Sequence, residues 1–406
     1  MKINIKRLME NLHKTGDIGY KEKDGITREG FSQEYYQALN ILERLFLESN
    51  LKVIKDEVGN ILGRREGKDV NKKSIMIGSH LDTVKNGGLY DGNLGIIAAL
   101  EVVKCLNENN ISMKHPIEIV AFNAEEGSEM GGTFGSRVMT GRQNLKEKDL
   151  EEKLSHYGLN LENIKNSTKN MNKVGVFLEL HIEQGGFLEE NKYDIGIVDG
   201  IVGITRYKIT IKGESNHAGT TPMNLRKDPI KVLGKVIGKI NDLTLEYKHP
   251  FVVTIGDLEV KPGMYNVIPR EVTLLLELRD LEQKNIDDFI LKLKEYSQQF
   301  YNFKFDFQET INKPSRLLDK NIIEKIKIVT EKNNYRGVEM SSGAGHDAKE
   351  FTYKVPTGMI FIPSVGGISH SPLEYSTEKQ IAKGTQILLD TVLELDKEEI
   401  LGEVIL

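Results

Sequence analysis

Two short apolar strands that each run into a cluster of polar residues constrain the fold of this chain most strongly. Residues 74–77 (SIMI) lead into GSHLDT, and residues 117–122 lead into NAEEGS. A helical pattern at 93–106 lies between them, after the loop YDGNLG. Strands that alternate with helices predict an α/β fold with a mixed sheet and flanking helices. Functional groups in such sheets gather where strands end, so both polar clusters are candidate site segments.

The pattern changes from about residue 207. Strand, helix, strand, strand, helix and strand follow one another up to about residue 314, and helix and strand alternation then resumes. The order βαββαβ is that of a ferredoxin-like unit, which has about this length. The sequence therefore predicts a main domain of residues 1–206 and 315–406, with a ferredoxin-like domain of residues 207–314 inserted into it. A length of 406 residues is consistent with two domains.

Charge and composition exclude several classes of partner. The chain has 55 Lys and Arg residues and 60 Asp and Glu residues, which gives a net charge of −5. Such a chain lacks the excess of positive charge that is typical of proteins that bind nucleic acid. The N-terminus lacks an apolar signal segment, and the apolar stretch 93–106 is too short to span a bilayer. We expect a cytoplasmic protein that binds neither nucleic acid nor membrane. The single cysteine, Cys105, lies in an apolar helical pattern and is expected to be a buried thiol.

The segments GSHLDT and YDGNLG contain the first candidate site residues. His80 and Asp82 follow a strand end, where an isolated HxD pair more often has a surface or capping role than a metal-binding one. Asp91 precedes a helical pattern, so an N-cap explains it as well as metal binding does. These three residues gain weight only in combination with other candidate ligands further along the chain.

Adjacent carboxylates end the second strand. Glu125 and Glu126 should repel one another unless a cation or proton chemistry needs both. Neighbouring side chains in an extended backbone point apart, so one could bind a metal while the other acts as a base. A solvated loop pair is the alternative.

Two histidines extend the set. His181 lies in an otherwise apolar strand pattern (LELHIEQGG), where a core histidine is the alternative, and His370 lies in the loop GGISHSPLE. Together with His80, Asp91 and Glu126 they offer three imidazoles and two carboxylates. Such a set suits Zn²⁺, Mn²⁺, Co²⁺ or Ni²⁺. Three ligands per ion from five residues require a shared one, and a bridging carboxylate would hold two ions about 3.5–4 Å apart.

Six motifs occur along the chain in the order GSHLDTV, YDGNLG, NAEEGS, LHIEQG, NHAGTTPM and GISHSPLE. With them the chain resembles the M20-type metallopeptidase superfamily, in particular its hydantoinase/carbamoylase branch. That branch includes N-carbamoyl-L-amino acid hydrolases, allantoate amidohydrolases and β-ureidopropionase-like enzymes. The resemblance extends over residues 8–395.

The resemblance implies two divalent ions per subunit in the main domain. One ion would be held by His80, Asp91 and His181, and the other by Asp91, Glu126 and His370, with Asp91 as the bridge. Asp82 would orient the imidazole of His80, and Glu125 would be the general base.

The resemblance also implies a set of substrate residues. These are Gln184, His217, Asn266 and Arg279, with Gly345 and His346 of GAGHDA lining the site. His217 would polarise the scissile carbonyl from the partner subunit of a homodimer, and the inserted domain would serve as lid and dimerisation domain. Taken singly, Arg279 could be a surface ion pair, Asn266 a turn residue and His217 a solvent-exposed side chain.

The implied activity is hydrolysis of the ureido group of an N-carbamoyl-L-amino acid to the L-amino acid, ammonia and CO₂. Allantoate is the alternative substrate, because it carries the same carboxylate and a second ureido group. A β-ureido acid ranks lower. A dipeptide also ranks lower, since peptidase branches typically have a carboxylate where this chain has His181. A non-catalytic binding protein on the same scaffold is a different class, against which the presence of every metal position and Glu125 argues.

Overall fold

The computed structural model of the chain describes residues 1–398. Its strands are β1 (Tyr20–Lys21), β2 (Gly25–Ile26), β3 (Lys52–Lys55), β4 (Ile61–Arg65), β5 (Ser74–His80), β6 (Ile117–Phe122), β7 (Val174–Ile182), β8 (Ile195–Ile201), β9 (Gly203–Lys212), β10 (Val252–Lys261), β11 (Glu271–Asp280), β12 (Lys304–Lys313), β13 (Arg316–Leu317), β14 (Gly337–Ser342) and β15 (Thr357–Ile362). Its α-helices are α1 (Ile5–Gly16), α2 (Gln33–Glu48), α3 (Asn93–Glu108), α4 (Phe134–Met139), α5 (Leu150–Ser155), α6 (Leu161–Asn166), α7 (Phe187–Glu190), α8 (Pro229–Thr244), α9 (Gln283–Ser297), α10 (Lys320–Lys332), α11 (Asp347–Phe351) and α12 (Glu378–Leu395).

The larger sheet is built around the parallel strands β6, β5, β7 and β15. Its order is β13-β8-β15-β7-β5-β6-β4-β3, with β14 paired to β8. The four parallel strands are buried along their whole length, as expected when helices cover both faces of a parallel sheet. The outer strands β3, β4, β8 and β13 pair in antiparallel fashion. The predicted α/β class with a mixed sheet and flanking helices is confirmed.

Helix α3 packs against the centre of this sheet, where it contacts β5, β6 and β7. Most of its residues are buried, because α1 and α12 contact it in turn. The apolar character of nearly all its sides is what such an enclosed helix requires. Cys105 lies on it as a buried free thiol, as predicted. Within residues 1–398 there is no helix with the length and apolar character needed to cross a bilayer.

A second sheet consists of β9, β10, β11 and β12. Its order is β10-β11-β9-β12, and all neighbours are antiparallel. Helices α8 and α9 pack against it, and their apolar side chains form a core with those of β9 and β11, among them Ile209, Val236, Leu274 and Phe289. Along the chain the elements follow the order β9-α8-β10-β11-α9-β12.

The chain divides into two compact units. The larger unit comprises Met1–Asp199, Leu318–Met340 and, among the described residues, 344–398. The inserted unit comprises Gly200–Leu317 and Ser341–Gly343. The predicted domain boundaries at 206/207 and 314/315 lie a few residues inside this division, and residues 399–406 of the predicted main domain lie outside the described residues.

Candidate metal centre

Four of the predicted metal ligands lie at the carboxyl ends of the parallel strands or in the loops that follow them. His80 is the last residue of β5, and His181 is the second-last residue of β7. Glu126 follows β6 closely, and His370 lies in the loop after β15. Because parallel strands end at the same edge of a sheet, the fold brings these side chains together.

Asp91 lies at the centre of this group. Its Oδ1 is 3.0 Å from Nε2 of His181 and 3.5 Å from Nε2 of His80. Its Oδ2 is 3.3 Å from Nε2 of His370, which is also 3.3 Å from Oε1 of Glu126. These potential ligand atoms thus form two sets, and within each set all atoms lie within 4.8 Å of one another. Both sets include the carboxylate of Asp91.

The turn that carries Asp91 depends on Gly92. Gly92 has a φ of +65°, and a Cβ atom there would lie 2.5 Å from the ring of His80. Glycine is therefore the residue that this turn accommodates without moving the imidazole. Gly92 is also the N-cap residue of α3, where no side chain makes a capping hydrogen bond. The alternative role of Asp91 as a helix cap is wrong.

Backbone carbonyls orient two of the imidazoles. Nδ1 of His80 lies 2.9 Å from the carbonyl oxygen of Asp82, and Nδ1 of His181 lies 2.8 Å from that of Ile182. Since a carbonyl oxygen only accepts, each Nδ1 carries a proton and donates it. Nε2 of each ring, the atom that faces Asp91, is then the position that holds either a second proton or a metal ion.

Buried oxygens of this group need a positive partner. With neutral imidazoles, Oδ1 of Asp91, Oε1 of Glu126 and Oε1 of Gln184 are buried and accept no hydrogen bond from the described residues. Buried acceptors without a donor cost free energy unless a cation or a proton lies among them. Imidazole nitrogens and carboxylate oxygens form the mixed set that Zn²⁺, Mn²⁺, Co²⁺ or Ni²⁺ accepts. The residues present therefore fit a divalent metal centre.

The pKa values reflect the same convergence of charge. Burial raises the pKa of Asp91, but hydrogen bonding to His181 and His370 holds that pKa well below its usual range. Burial lowers the pKa of His80, but the carboxylates of Asp91 and Glu125 raise it well above its ordinary value. The pKa of His370 is raised to about 10, chiefly by its hydrogen bond with Asp91. A metal ion bound here would therefore compete with protons for these nitrogens.

Glu125 lies beside the group. Together with His80 and Glu126 it forms a further set of potential ligand atoms. Removal from water raises the pKa of its carboxyl well above the usual range, although the charge of His80 opposes this shift. The side chain of Glu126 is only 11% exposed, so the alternative of a solvated loop pair does not hold. A carboxyl of raised pKa beside candidate ligands can accept and return a proton.

Asp82 contacts the group differently from the way the resemblance implies. Its Oδ1 lies 3.9 Å from Nδ1 of His80, beyond hydrogen-bonding distance. The backbone carbonyl of Asp82 makes that contact instead. The buried carboxylate accepts the backbone N–H groups of Glu125 at 3.1 Å and Glu126 at 3.0 Å. Asp82 therefore positions the carboxylate pair, and the predicted contact of its side chain with the imidazole is corrected.

Gln184 reaches the group from the loop after β7. Its Nε2 donates to Oδ2 of Asp91 at 3.1 Å and lies 3.3 Å from Nε2 of His370. Its backbone has a φ of +62°, a left-handed conformation that aims the amide into the site. Its Oε1 is buried and accepts no hydrogen bond from the described residues, so the amide has an unused acceptor beside the candidate ligands.

His346 lies at the back of the group. It is buried, and its ring packs edge-on against that of His181 with centroids 4.6 Å apart. Burial lowers its pKa well below the ordinary value, so the ring is neutral. A Cβ atom at Gly345 would meet no atom within 4 Å. The backbone at this glycine is therefore open to a ligand.

Glu179, two residues before His181 on β7, is a further candidate site residue that was not predicted from the sequence. It is buried, and its carboxylate accepts the hydroxyl of Ser79 at 2.6 Å and the backbone N–H of Ala348 at 2.9 Å. It also belongs to a set of potential ligand atoms with His181 and His346. A charged residue inside the apolar run VGVFLELHI was the signal that could have identified it.

Three predicted substrate residues belong to the inserted unit. His217 is exposed, and its Nδ1 accepts two backbone N–H groups of its own turn at 3.0 and 3.2 Å, which leaves the ring proton on Nε2. Asn266 is exposed in the segment between β10 and β11. Arg279 makes the ion pair named as its alternative, since Nη2 lies 2.7 Å from Oε1 of Glu277, and its Nη1 donates to the carbonyl of Gly343 at 2.7 Å.

The chain resembles known proteins both in sequence and in fold. Residues 76–394 match the sequence family described as peptidase family M20/M25/M40. The chain is 36% identical to an N-carbamoyl-L-amino acid amidohydrolase of Geobacillus stearothermophilus, over 98% of this chain and 100% of that protein. It is 32% identical to the allantoate amidohydrolase of Escherichia coli (strain K12), over 93% and 95%. A solved amidase of the hydantoinase/carbamoylase family from Burkholderia multivorans superposes with a TM-score of 0.89 at 29% identity, covering 98% of this chain and 99% of that one.

Proposed function

The chain belongs to peptidase family M20/M25/M40, and we propose that it is a metal-dependent amidohydrolase that cleaves the ureido group of an N-carbamoyl-L-amino acid. Water and the substrate R–NH–CO–NH₂ give R–NH₂, CO₂ and NH₃. The catalysed step breaks one carbon–nitrogen bond of a linear amide, not a peptide bond. The carbamic acid that this step leaves then loses CO₂, which breaks the second carbon–nitrogen bond and releases the other nitrogen. The two relatives with ureido substrates in their names support this reaction class.

One observation carries the proposal, namely that the two oxygens of Asp91 face different candidate ligands. Oδ1 faces His80 and His181, and Oδ2 faces His370. We propose that Asp91 bridges two divalent ions, one held with His80 and His181 and the other with Glu126 and His370. Zn²⁺, Mn²⁺, Co²⁺ and Ni²⁺ all suit this ligand set.

Glu125 is the proposed general base. Ions held by this ligand set would lower the pKa of a water molecule and polarise the ureido carbonyl. Glu125 accepts the proton of the attacking water, and the new carbon–oxygen bond forms at the carbamoyl carbon. The protonated carboxyl then returns the proton to the leaving nitrogen as the carbon–nitrogen bond breaks. Its raised pKa suits a group that must hold a proton between these two steps.

Substrate binding is assigned to Gln184, Gly345 and His346 of the larger unit and to three residues of the inserted unit. The buried Oε1 of Gln184 can accept a ureido N–H. His217 presents Nε2–H, which suits hydrogen bonding to the scissile carbonyl. Asn266 and Arg279 would bind the substrate carboxylate, for which the planar guanidinium is well suited.

The inserted unit is proposed to be a ferredoxin-like lid and dimerisation domain. Its sheet order and its two helices support this assignment. In a homodimer, His217 would act on the substrate of the partner subunit, and a monomer would have an incomplete site. A cytoplasmic location is part of the same proposal.

Allantoate is the second candidate substrate. It offers the same carboxylate and a second ureido group, and the Escherichia coli relative carries it in its name. We rank N-carbamoyl-L-amino acids first because they need only one ureido group and one carboxylate. A β-ureido acid or a dipeptide ranks lower.

Parallel assays of ammonia release from N-carbamoyl-L-methionine and allantoate test the proposal. Faster turnover of the first supports the main assignment, and faster turnover of the second supports the alternative. Cleavage of a dipeptide without activity on either ureido compound would overturn the assignment to the ureido-cleaving branch.

A further inference from the structure

Glu374 is a buried carboxylate next to the candidate ligands, and it belongs to none of the ligand sets found among the described residues. Its Oε1 accepts the backbone N–H groups of Tyr90 and Asp91, both at 3.0 Å. Its Oε2 accepts the hydroxyl of Ser369, the neighbour of His370, at 2.9 Å. One carboxylate oxygen is therefore hydrogen-bonded to the loop of Asp91, and the other to the loop of His370.

The loop before Asp91 packs tightly on this carboxylate. A Cβ atom at Gly88 would lie 2.3 Å from Oε1 of Glu374 and 2.4 Å from its Cβ. The hydroxyl of Ser369 also lies 3.5 Å from Oδ2 of Asp91. The Asp91 loop and the Ser369 loop thus meet at Glu374, with room only for glycine at residue 88.

We infer that Glu374 is a positioning residue that joins the loop of Asp91 to the loop of His370 and thereby sets the separation of these two ligands. The inference rests on the proposed metal-dependent function. Glu374 acts because its side chain has the length that places two acceptor oxygens against both loops. Its negative charge is of secondary importance. Residues that hold metal ligands in place typically change metal affinity or activity by about 10–100-fold when they are replaced.

Three substitutions separate reach from charge. Glu374→Gln keeps a carbonyl oxygen at the same reach for both backbone N–H groups and removes the charge. Glu374→Asp keeps the negative charge, but its side chain is one methylene group shorter. Glu374→Ala removes both the charge and the acceptor oxygens. Glu378→Ala is the matched control, because Glu378 is an exposed glutamate in the first turn of α12.

The dissociation constant for Zn²⁺ is measured on the metal-free full-length proteins, by competition with a chromogenic chelator. We expect Glu374→Gln to stay within about threefold of the wild type and Glu374→Asp and Glu374→Ala to bind about 10–100-fold more weakly. Glu378→Ala should match the wild type. Rescue by glutamine but not by aspartate is a pattern that a general loss of packing would not produce.

Two results would overturn the inference. One is a Glu374→Asp variant that binds Zn²⁺ like the wild type while Glu374→Gln binds it weakly, because charge would then be the determinant. The other is a Glu374→Ala variant within about twofold of the wild type. Thermal unfolding of the metal-free proteins identifies variants that fail to fold, and the Gln and Asp pair decides the question if Glu374→Ala is one of them. A wild type that binds no Zn²⁺ would instead remove the proposed function, and this inference with it.

Discussion

Oδ1 of Asp82 accepts the backbone N–H of Glu125 at 3.1 Å, across 43 positions of sequence. Ala124, the residue before the donor, has a φ of +58°. This left-handed conformation costs free energy for a residue other than glycine and persists only where surrounding contacts enforce it. The buried carboxylate is one such contact, so the direction of the Glu125 side chain depends on Asp82.

Asp82→Asn should therefore impair turnover without removing metal. The amide places an NH₂ group against one of the two backbone N–H donors, while the backbone carbonyl that orients His80 remains. We expect kcat to fall by roughly 10–100-fold and the metal content to stay that of the wild type. Steady-state kinetics and elemental analysis of the same preparation check this. Loss of metal in parallel with activity would show that the carboxylate orients the imidazole after all.

Glu125→Gln should abolish the proton transfer while the metal sites remain filled. Glutamine has the same shape but cannot accept a proton, so turnover should fall by about two to four orders of magnitude, the usual contribution of a general base. Glu129→Gln, an exposed neighbour, serves as the control. Unchanged turnover in Glu125→Gln would remove this residue from the mechanism.

Metal removal should inactivate the protein and lower its melting temperature. If the converging nitrogen and oxygen atoms hold metal ions in the folded state as proposed, added Zn²⁺ or Mn²⁺ should raise the melting temperature by mass action. We expect two ions per chain in the wild type, fewer in His370→Ala, and none in Asp91→Asn, since Asp91 is the proposed shared ligand. Calorimetric titration gives the stoichiometry, and an Asp91→Asn variant that retains one tightly bound ion would argue against the bridge.

The thiol of Cys105 should be unreactive in the folded protein. Burial and the nearby charge of Glu101 raise its pKa to about 12, whereas an ordinary thiol has a pKa near 8.5. At pH 8 the thiolate fraction is then roughly a thousandfold lower in the folded chain than in the unfolded one. A chromogenic disulfide reagent should label one thiol per chain in guanidinium chloride and react only slowly without it.

The same shift of pKa has a consequence for stability. Between about pH 8.5 and about pH 12 the unfolded chain releases this proton while the folded chain keeps it, so the group lowers the free energy of unfolding as the pH rises. Cys105→Ser should weaken this part of the pH dependence of unfolding. An identical dependence in the wild type and the variant would contradict the raised pKa.

Strong apolar patterns made much of the fold predictable. The strand at 117–122 was predicted with the bounds it has, because five of its six residues are apolar and the run ends abruptly in polar ones. The strand before GSHLDT was predicted to end at residue 77, but β5 continues to His80. Gly78 has a weak strand propensity, yet a Cβ atom there would lie 2.1 Å from the carbonyl oxygen of Val120 on β6. Gly78 allows β5 and β6 to lie close together, and β5 therefore continues through this residue. The strand propensity of glycine does not predict such a close approach.

The candidate site was predictable in its residue types but not in its supporting contacts. Five residues of ligand type could be identified, because the chemistry of metal binding restricts which side chains can serve. The partners of Asp82 and Glu374 depend instead on how separate loops turn back on one another. Neither periodicity nor spacing along the chain contains that information, since one left-handed residue such as Ala124 redirects the rest of its loop.

The antiparallel pairing of β13 with β8 bears on how such a chain could arise. Arg316 pairs with Ile201, and Leu317 with Gly200. The chain therefore leaves the larger sheet at the end of β8 and rejoins it in β13, which is the neighbouring strand. The residues between Ile201 and Arg316, more than a hundred in number, thus connect two neighbouring antiparallel strands of the larger sheet, as the loop of a hairpin does. Gain, loss or exchange of that whole segment would leave the strand order of the host untouched, and the entropy of closing a loop grows only slowly with its length. Evolution can therefore alter the inserted unit as a module while the sheet that carries the candidate metal ligands stays unchanged.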